Sequence, residues 1–304
     1  LVPKKGGVLV GFRERNKSFI TPLSNCPVIH PSVDPVLAKI PQLIGQLSIP
    51  DRIPQIEVAA GENGTALVFR HLSPLTESDL SSLKQFAIQE GLLIYTQAKG
   101  PETAIPLDAS ATPELFYTLQ AFDLRIWFSV TQFVQVNAAV NELLVELAVD
   151  WLAPNDKDRI LDLFCGLGNF SLALARRAGQ VLGVEGDESL VRKAAENASA
   201  NGINNARFQT RDLFSDSVLD WDPGHYSQVL VDPPRSGAID VLKNISSGLK
   251  PDRIAYVSCN PATLARDAAY LTGPGGYRLT RLAVADMFPH TAHIESATLF
   301  ARSA

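Results

Sequence analysis

The chain has 304 residues, 46% of them hydrophobic and 19% charged, with a formal net charge of −5. That apolar share excludes a disordered chain, and the acidic balance excludes a global basic footprint for nucleic acid, leaving at most a local patch. No stretch approaches the roughly 20 uninterrupted apolar residues of a membrane span, so no membrane partner is expected, and the length predicts two domains.

The first 125 or so residues read as mixed α+β. Residues 8–13 and 18–20 flank a polar Asn16-Lys17 turn and predict a short hairpin. Residues 33–47 have a helical pattern whose regularity Pro41 limits. Residues 56–60 and 65–70 are β-rich runs joined by Gly61-Glu62-Asn63-Gly64, where Asn-Gly signals a hairpin. Thr76 is a candidate N-cap, with Asp79 three residues on and a periodic run to Glu90 before Gly91 stops it. Residues 92–96 return as a strand, and the turn-rich stretch 99–113 is expected to loop out.

From Leu124 the texture changes. Residues 124–128 and 133–136 are extended pieces, and Asn137 caps a helix to Trp151. Strands at 159–163, 180–184, 206–209, 228–231 and 254–257 then alternate with helices at 170–178, 189–201, 239–249 and 262–271. Residues 277–285 and 293–300 follow as two strands with no helix between. This alternation predicts a mostly parallel, doubly wound α/β sheet over 126–304 with a C-terminal antiparallel hairpin at one edge. A smaller α+β domain over 1–125 precedes it.

The sharpest local feature is Asp162-Leu163-Phe164-Cys165-Gly166-Leu167-Gly168-Asn169-Phe170, an apolar strand entering a tight turn and then a helix. Gly166 and Gly168 let the backbone turn sharply and let a ligand approach the main chain. Glu185 ends the next strand, where an acid accepts hydrogen bonds from a ribose diol, and Asp212 follows the third, where one accepts from an adenine amino group. Solvated strand ends are the plain alternative. Ser171 stands where a dinucleotide fingerprint has its third glycine. S-adenosylmethionine, which has a ribose and adenine but no phosphates, therefore fits better than NAD.

Asp232-Pro233-Pro234-Arg235 makes a rigid loop at the carboxyl end of a strand, where open α/β sheets bind ligands. The next strand ends in Ser258-Cys259-Asn260-Pro261, with Cys259 just before a helix N-terminus, a position expected to stabilise a thiolate. Cys165, inside the glycine turn, is expected to pack or to line the site. The only other cysteine is Cys26. Three cysteines without CxxC spacing argue against a disulfide framework and for a reducing cytoplasm. Downstream, His290 and His293 form an HxxH without a third ligand at known spacing, a poor metal signal. They are read as shaping a pocket or meeting RNA, and Glu295 as a general base.

Together these features resemble one family, the S-adenosylmethionine-dependent RNA uracil-5-methyltransferases, over nearly the whole chain. The carriers are Phe133-Val134-Gln135-Val136-Asn137, the 162–170 turn, Asp232-Pro233-Pro234-Arg235, Ser258-Cys259-Asn260-Pro261 and Phe288-Pro289-His290-Thr291 with Glu295. The resemblance implies a Rossmann-like class I S-adenosylmethionine methyltransferase domain at 126–304 and an RNA-contacting domain at 1–125. It implies methyl transfer to C5 of a uridine through a covalent adduct between a cysteine and uracil C6. Gln135, Phe164, Asn169, Glu185, Asp212 and Asp232 match the cofactor positions, beside Gly166 and Gly168 of the turn. Cys259 matches the nucleophile and Glu295 the base. Phe133, Pro233, Arg235 and His290 are the expected substrate contacts, with Phe133 or Phe288 as the stacking aromatic.

The run from Tyr256 to Asp267 and the stretch from Asp286 to Phe300 point to the branch acting on 23S ribosomal RNA, with the tRNA branch second. A cytoplasmic monomer is expected. Members of the ribosomal branch usually begin with a small β-barrel RNA-binding (TRAM) domain and hold a [4Fe–4S] cluster on four cysteines. Cys26, in Asn25-Cys26-Pro27, resembles the fourth of these, and the other three are absent. One cysteine cannot hold a cubane, so a cluster is expected only in a longer chain. With Met287 as its only methionine, this chain reads as a fragment of such a protein. Three rival readings stand beside this one. A cytosine-5 methyltransferase usually has an extra cysteine in the loop held here by Asp232-Pro233-Pro234. An inactive RNA-binding or assembly factor is favoured by the acidic balance. An NAD-dependent oxidoreductase is disfavoured by the missing third glycine.

Overall fold

Residues 2–4, 7–14, 17, 19–111, 113–215, 224–291 and 293–303 are described by the computed structural model. They form two units, Leu1–Phe116 with Phe128–Val134, and Tyr117–Trp127 with Gln135–Ala304.

In the first unit, β1 (Val2–Lys4) pairs antiparallel with β2 (Gly7–Leu9), and β3 (Gly11–Arg13) with β4 (Ile20–Pro22). Asn16 and Ser18 of the expected hairpin lie outside the described residues. The helical pattern at 33–47 splits into a 3-10 turn, Asp34–Val36, and α1 (Ile40–Gln46), each with a proline in its first turn. Proline lacks the N–H that a continuing helix needs, so a new helix begins at each one. β5 (Gln55–Gly61) and β6 (Gly64–Arg70) form the expected hairpin. α2 (Glu77–Glu90) then crosses over to β7 (Leu93–Gln97), parallel to β6.

The start of α2 is a reciprocal capping box between Thr76 and Asp79, and Gly91 ends it at φ 66°. The Asp79 carboxylate also accepts from the Ser48 backbone N–H (2.7 Å) and hydroxyl (2.6 Å). The stretch at 99–113 is not all loop. It contains β8 (Ala104–Pro106), which pairs antiparallel with β7 at the sheet edge. Three residues ending in proline show no alternation, and an edge is where a missing N–H is tolerated. Leu67, Phe69, Leu83 and Ile94 centre the core of this unit.

The ribbon of β9 (Leu115–Leu119) and β10 (Leu124–Phe128) comes next, its residues Tyr117–Trp127 belonging to the second unit. The 125/126 boundary drawn from sequence falls inside β10. α3 (Ala138–Leu152) follows, its first turn capped by Asn137 Oδ1, which accepts from Val140 N–H at 3.2 Å. The main sheet has seven strands: β11 (Arg159–Leu163), β12 (Gln180–Glu185), β13 (Ala206–Thr210), β14 (Gln228–Val231), β15 (Arg253–Ser258), β16 (Tyr277–Ala285) and β17 (Glu295–Arg302). Their order is β13-β12-β11-β14-β15-β17-β16. The first five in that order are parallel, and β17 runs antiparallel to both its neighbours.

The intervening helices are α4 (Asn169–Ala175), α5 (Glu188–Ala200), α6 (Ile239–Asn244), continued by a π-turn at Ile245–Leu249, and α7 (Pro261–Thr272). Ile160, Leu163, Val229, Val231, Ile254 and Tyr256 are fully buried, as strands covered on both faces must be. The expected doubly wound sheet with a C-terminal hairpin at one edge is the architecture found.

Candidate active site

Two neighbouring strand ends build the cofactor side. Past β11 the backbone turns left-handed at Phe164 (φ 64°), Gly166 (φ 53°) and Gly168 (φ 89°). Glycine adopts this region without steric cost, whereas Phe164 stores strain there. A Cβ added at Gly166 would meet no atom within 4 Å, so the main chain there faces open space. The parallel register pairs Leu163 with Val184, which sets Glu185 one residue beyond, beside the turn. Its carboxylate accepts from Gly166 N–H (3.2 Å), Gly186 N–H (2.6 Å) and Asp187 N–H (3.2 Å), and is held in one orientation.

Asp162 lies beneath the turn, fully buried, with one oxygen bonded to the Ser171 hydroxyl and the other, Oδ1, without a partner. Burial pushes its carboxyl up to about 7; the Ser171 bond pulls it down and the nearby Glu185 charge pushes it further up. Gln135 Oε1 is likewise buried and unpartnered. Buried acceptors left open are costly unless a ligand donates to them. S-adenosylmethionine carries donors in its amino group, ribose and adenine, so this acceptor-rich set with an open glycine turn fits it.

Asp212, exposed after β13, accepts from Phe214 N–H at 2.9 Å. Phe214 is 59% exposed, and its ring stands 5.5 Å from that of Phe164. Sequence reading missed Phe214; its place two residues after a candidate adenine acceptor was the available signal. Asn169, a candidate cofactor contact, is held by its neighbours. Its Oδ1 accepts from the Tyr117 hydroxyl (2.9 Å) and Asn141 Nδ2 (3.1 Å), and its Nδ2 donates to Asn141 Oδ1 (2.9 Å). The amide ties α4 to α3, leaving one N–H for a ligand. Cys165 is buried, and a Cβ at Gly183 would come within 2.9 Å of its sulfur, which places it in the packing under the turn.

The reactive groups meet on the other side of β14. Antiparallel insertion of β17 beside β15 pairs Ser258 with Ser296, so the next residues outward, Cys259 and Glu295, face each other at the carboxyl edge of the parallel strands. Cys259 Sγ, an imidazole nitrogen of His293 and a Glu295 oxygen all lie within 4.8 Å of one another. His293 Nε2 is 3.2 Å from Glu295 Oε1, its backbone N–H donates to Thr291 Oγ1 (3.1 Å), and its ring packs 4.3 Å from that of Phe288. The imidazole at the acid is thus His293. His290 is exposed, in a left-handed conformation at φ 64°.

Asn260 orders the thiol loop. Its Oδ1 caps α7 by accepting from Ala262 N–H (3.1 Å), and its Nδ2 donates to the Arg235 carbonyl (3.0 Å), binding the two loops together. Pro233 is buried in that junction and the Arg235 side chain is exposed.

The expectation of a thiolate at Cys259 is corrected by this geometry. Burial, then the carboxylates of Glu295 and Asp232, push the thiol up, and the Arg235 charge opposes them only in part. Position before a helix contributes a partial charge, whereas two nearby carboxylates contribute whole ones. Glu295 is itself pushed up by burial, with the His293 bond and charge and the Arg235 charge pulling it back. Asp232 is raised well above the ordinary range by burial and by Glu295 and Asp162.

Two expected residues belong to the first unit. Phe133 is 73% exposed. Cys26 sits in the apolar core of that unit, its N–H donating to Asp34 Oδ1 at 2.6 Å, and its sulfur is free. A single core cysteine does not fit a [4Fe–4S] cluster, which needs four ligands.

Comparison with known proteins places this geometry in a lineage. The family model of tRNA (uracil-5-)-methyltransferases matches residues 64–303. The chain belongs to this family. It is 50% identical over 304 residues to the Alkalilimnicola ehrlichii protein named 23S rRNA (uracil(1939)-C(5))-methyltransferase RlmD, spanning 100% of this chain and 68% of that one. It is 49% identical over 302 residues to the protein of the same name from Thiobacillus denitrificans, spanning 99% and 70%. The crystal structure of Pyrococcus abyssi tRNA (uracil-54, C5)-methyltransferase in complex with S-adenosyl-L-homocysteine superposes with a TM-score of 0.72 at 24% identity. The match covers 93% of this chain and 70% of that one. This last likeness bears on the fold, a Rossmann-like class I methyltransferase sheet. The resemblance read from the motifs is borne out.

Proposed function

We infer that the chain transfers a methyl group from S-adenosylmethionine to C5 of a uridine in RNA, and that the RNA is 23S ribosomal RNA. One observation carries the chemistry: a sulfur and a carboxyl group from distant parts of the chain within 4.8 Å, at the sheet edge that also bears the glycine turn. The target RNA is supported by relatives about half identical to this chain that bear a 23S rRNA methyltransferase name.

Uracil C5 is a weak nucleophile. Cys259 gives its proton to solvent as its Sγ adds to C6, and the resulting enolate concentrates electrons at C5. Bound S-adenosylmethionine supplies an electrophilic methyl group and a positive charge. Glu295 then removes the C5 proton, and the S–C6 bond breaks with return of the electron pair to sulfur. An acid whose proton affinity is raised by burial suits that second duty. Gln135, Glu185, Asp212 and Asp232 present acceptors to the donor molecule, and the Phe164–Phe214 pair offers its adenine an aromatic wall. The target base must leave its stack, and an aromatic such as Phe133 or Phe288 offsets part of that cost.

The first unit takes the RNA-contacting role in this reading, and the protein acts as a cytoplasmic monomer. Among the described residues no helix is long and apolar enough to cross a membrane. The test is Cys259→Ala against 23S and transfer RNA transcripts carrying uracil or cytosine at the target. Wild type is expected to methylate uracil in 23S RNA. The variant is expected to lose turnover and adduct while still binding S-adenosylhomocysteine. Undiminished methylation by the variant, or transfer only to cytosine, refutes the assignment.

A further inference from the structure

Cys259, His293 and Glu295 offer one sulfur, one nitrogen and one oxygen donor within 4.8 Å. We propose that these three side chains form a binding site for zinc, and that bound zinc reversibly blocks the enzyme by occupying the cysteine sulfur. Zinc favours this borderline-soft donor set, and three protein ligands with an open fourth position are a common zinc arrangement.

Bond lengths of about 2.0–2.3 Å put tetrahedral ligand atoms roughly 3.5 Å apart, so the widest pair here must close by about an ångström. Side-chain rotation supplies that, because the His293 side chain is 26% exposed and Cys259 is only half-buried. Glu295, 4% exposed at the start of β17, is the fixed member. The Phe288 ring already packs against the imidazole, and the Thr291 hydroxyl accepts from the His293 backbone N–H, which lowers the entropy of capture. On binding, the Cys259 S–H bond breaks, its proton goes to buffer, and an S–Zn bond forms without electron transfer. Magnesium and calcium prefer oxygen donors and are excluded by the same set.

Binding of the metal does not depend on the methyl-transfer reading; the block on turnover does. The test titrates the purified full chain, without RNA, with cobalt(II) as the spectroscopic probe. Expected are one equivalent bound, a thiolate-to-cobalt charge-transfer band, the strong d–d absorption of four-coordinate cobalt, and displacement by one equivalent of zinc. Magnesium is expected to have no effect. Cys259→Ser is expected to abolish the charge-transfer band. His293→Ala is expected to weaken zinc at least about tenfold against a chromophoric chelator, with S-adenosylhomocysteine binding confirming that both variants fold. Cobalt uptake absent from wild type, a band surviving in Cys259→Ser, or unchanged zinc affinity in His293→Ala overturns the site. Zinc is also expected to stop methylation, with chelator restoring it; full turnover by zinc-loaded protein overturns the block. A metal-free protein that never methylates RNA counts instead against the methyl-transfer reading, and the cobalt spectra still report on the site.

Discussion

Replacing Gly166 by alanine separates the folding role of the glycine turn from its binding role. The new methyl group meets no atom within 4 Å, so the folded protein bears only the left-handed backbone cost at φ 53°. For an L-residue that is about 1–2 kcal/mol. In a chain of this size each kcal/mol lowers Tm by roughly 2–4 °C. The Gly166 N–H keeps its bond to Glu185, because alanine retains the donor. A ligand packed on the main chain, by contrast, must yield to one extra methyl group, at about 1–3 kcal/mol, or roughly 5- to 150-fold in Kd. Calorimetric titration with S-adenosylhomocysteine and a thermal melt measure the two effects on one sample. Unchanged affinity would show that the ligand does not cross Gly166. A collapse of the melt by tens of degrees would show that the space is not open.

Glu295→Gln is expected to lower kcat by roughly 10²–10⁴ and to accumulate a protein–RNA adduct on denaturing gels, since adduct formation survives and proton removal does not; near-native turnover argues against the base role. In the free wild-type protein, alkylation of Cys259 by iodoacetamide is expected to rise with pH beyond the ordinary thiol range, and its midpoint to fall in Glu295→Gln, where one opposing carboxylate is gone. Phe214→Ala is expected to weaken S-adenosylhomocysteine by about 1 kcal/mol, roughly fivefold, in the same calorimetric titration. Burial alone would raise Asp79, but its bonds from Ser48 and Thr76 outweigh it and hold the carboxyl at about 2. Its folded-state value is depressed, so it contributes about 2 kcal/mol of stability above pH 4 that is lost as pH falls towards 2. Urea melts of Asp79→Ala are expected to show a loss of about 2–4 kcal/mol at neutral pH and a weaker acid dependence from pH 4 to 2.

Much of this protein can be read along the chain because the relevant signals act over a few residues. Thr76 and Asp79 announce a helix start, Asn63-Gly64 a hairpin, and the run 160–163 a strand covered on both faces. The turn holding Gly166 and Gly168 is local as well, as are the prolines that divide 33–47. β8 carries no such signal: three residues on an edge are stabilised by their partner strand and not by their own pattern. The same limit governs the site. His290 and His293 look equivalent in the sequence, and only the course of the backbone into β17 brings one of them to Glu295. Cys259 reads as an activated thiol from the helix beside it, yet carboxylates at 232 and 295 raise it. Those acids become its neighbours through strand order and the pairing of Ser258 with Ser296. Hydrogen-bonded turns and apolar periods are properties of adjacent residues. Proton affinity is a property of whatever charge and solvent surround an atom, and here that surrounding is assembled from strands far apart in the chain.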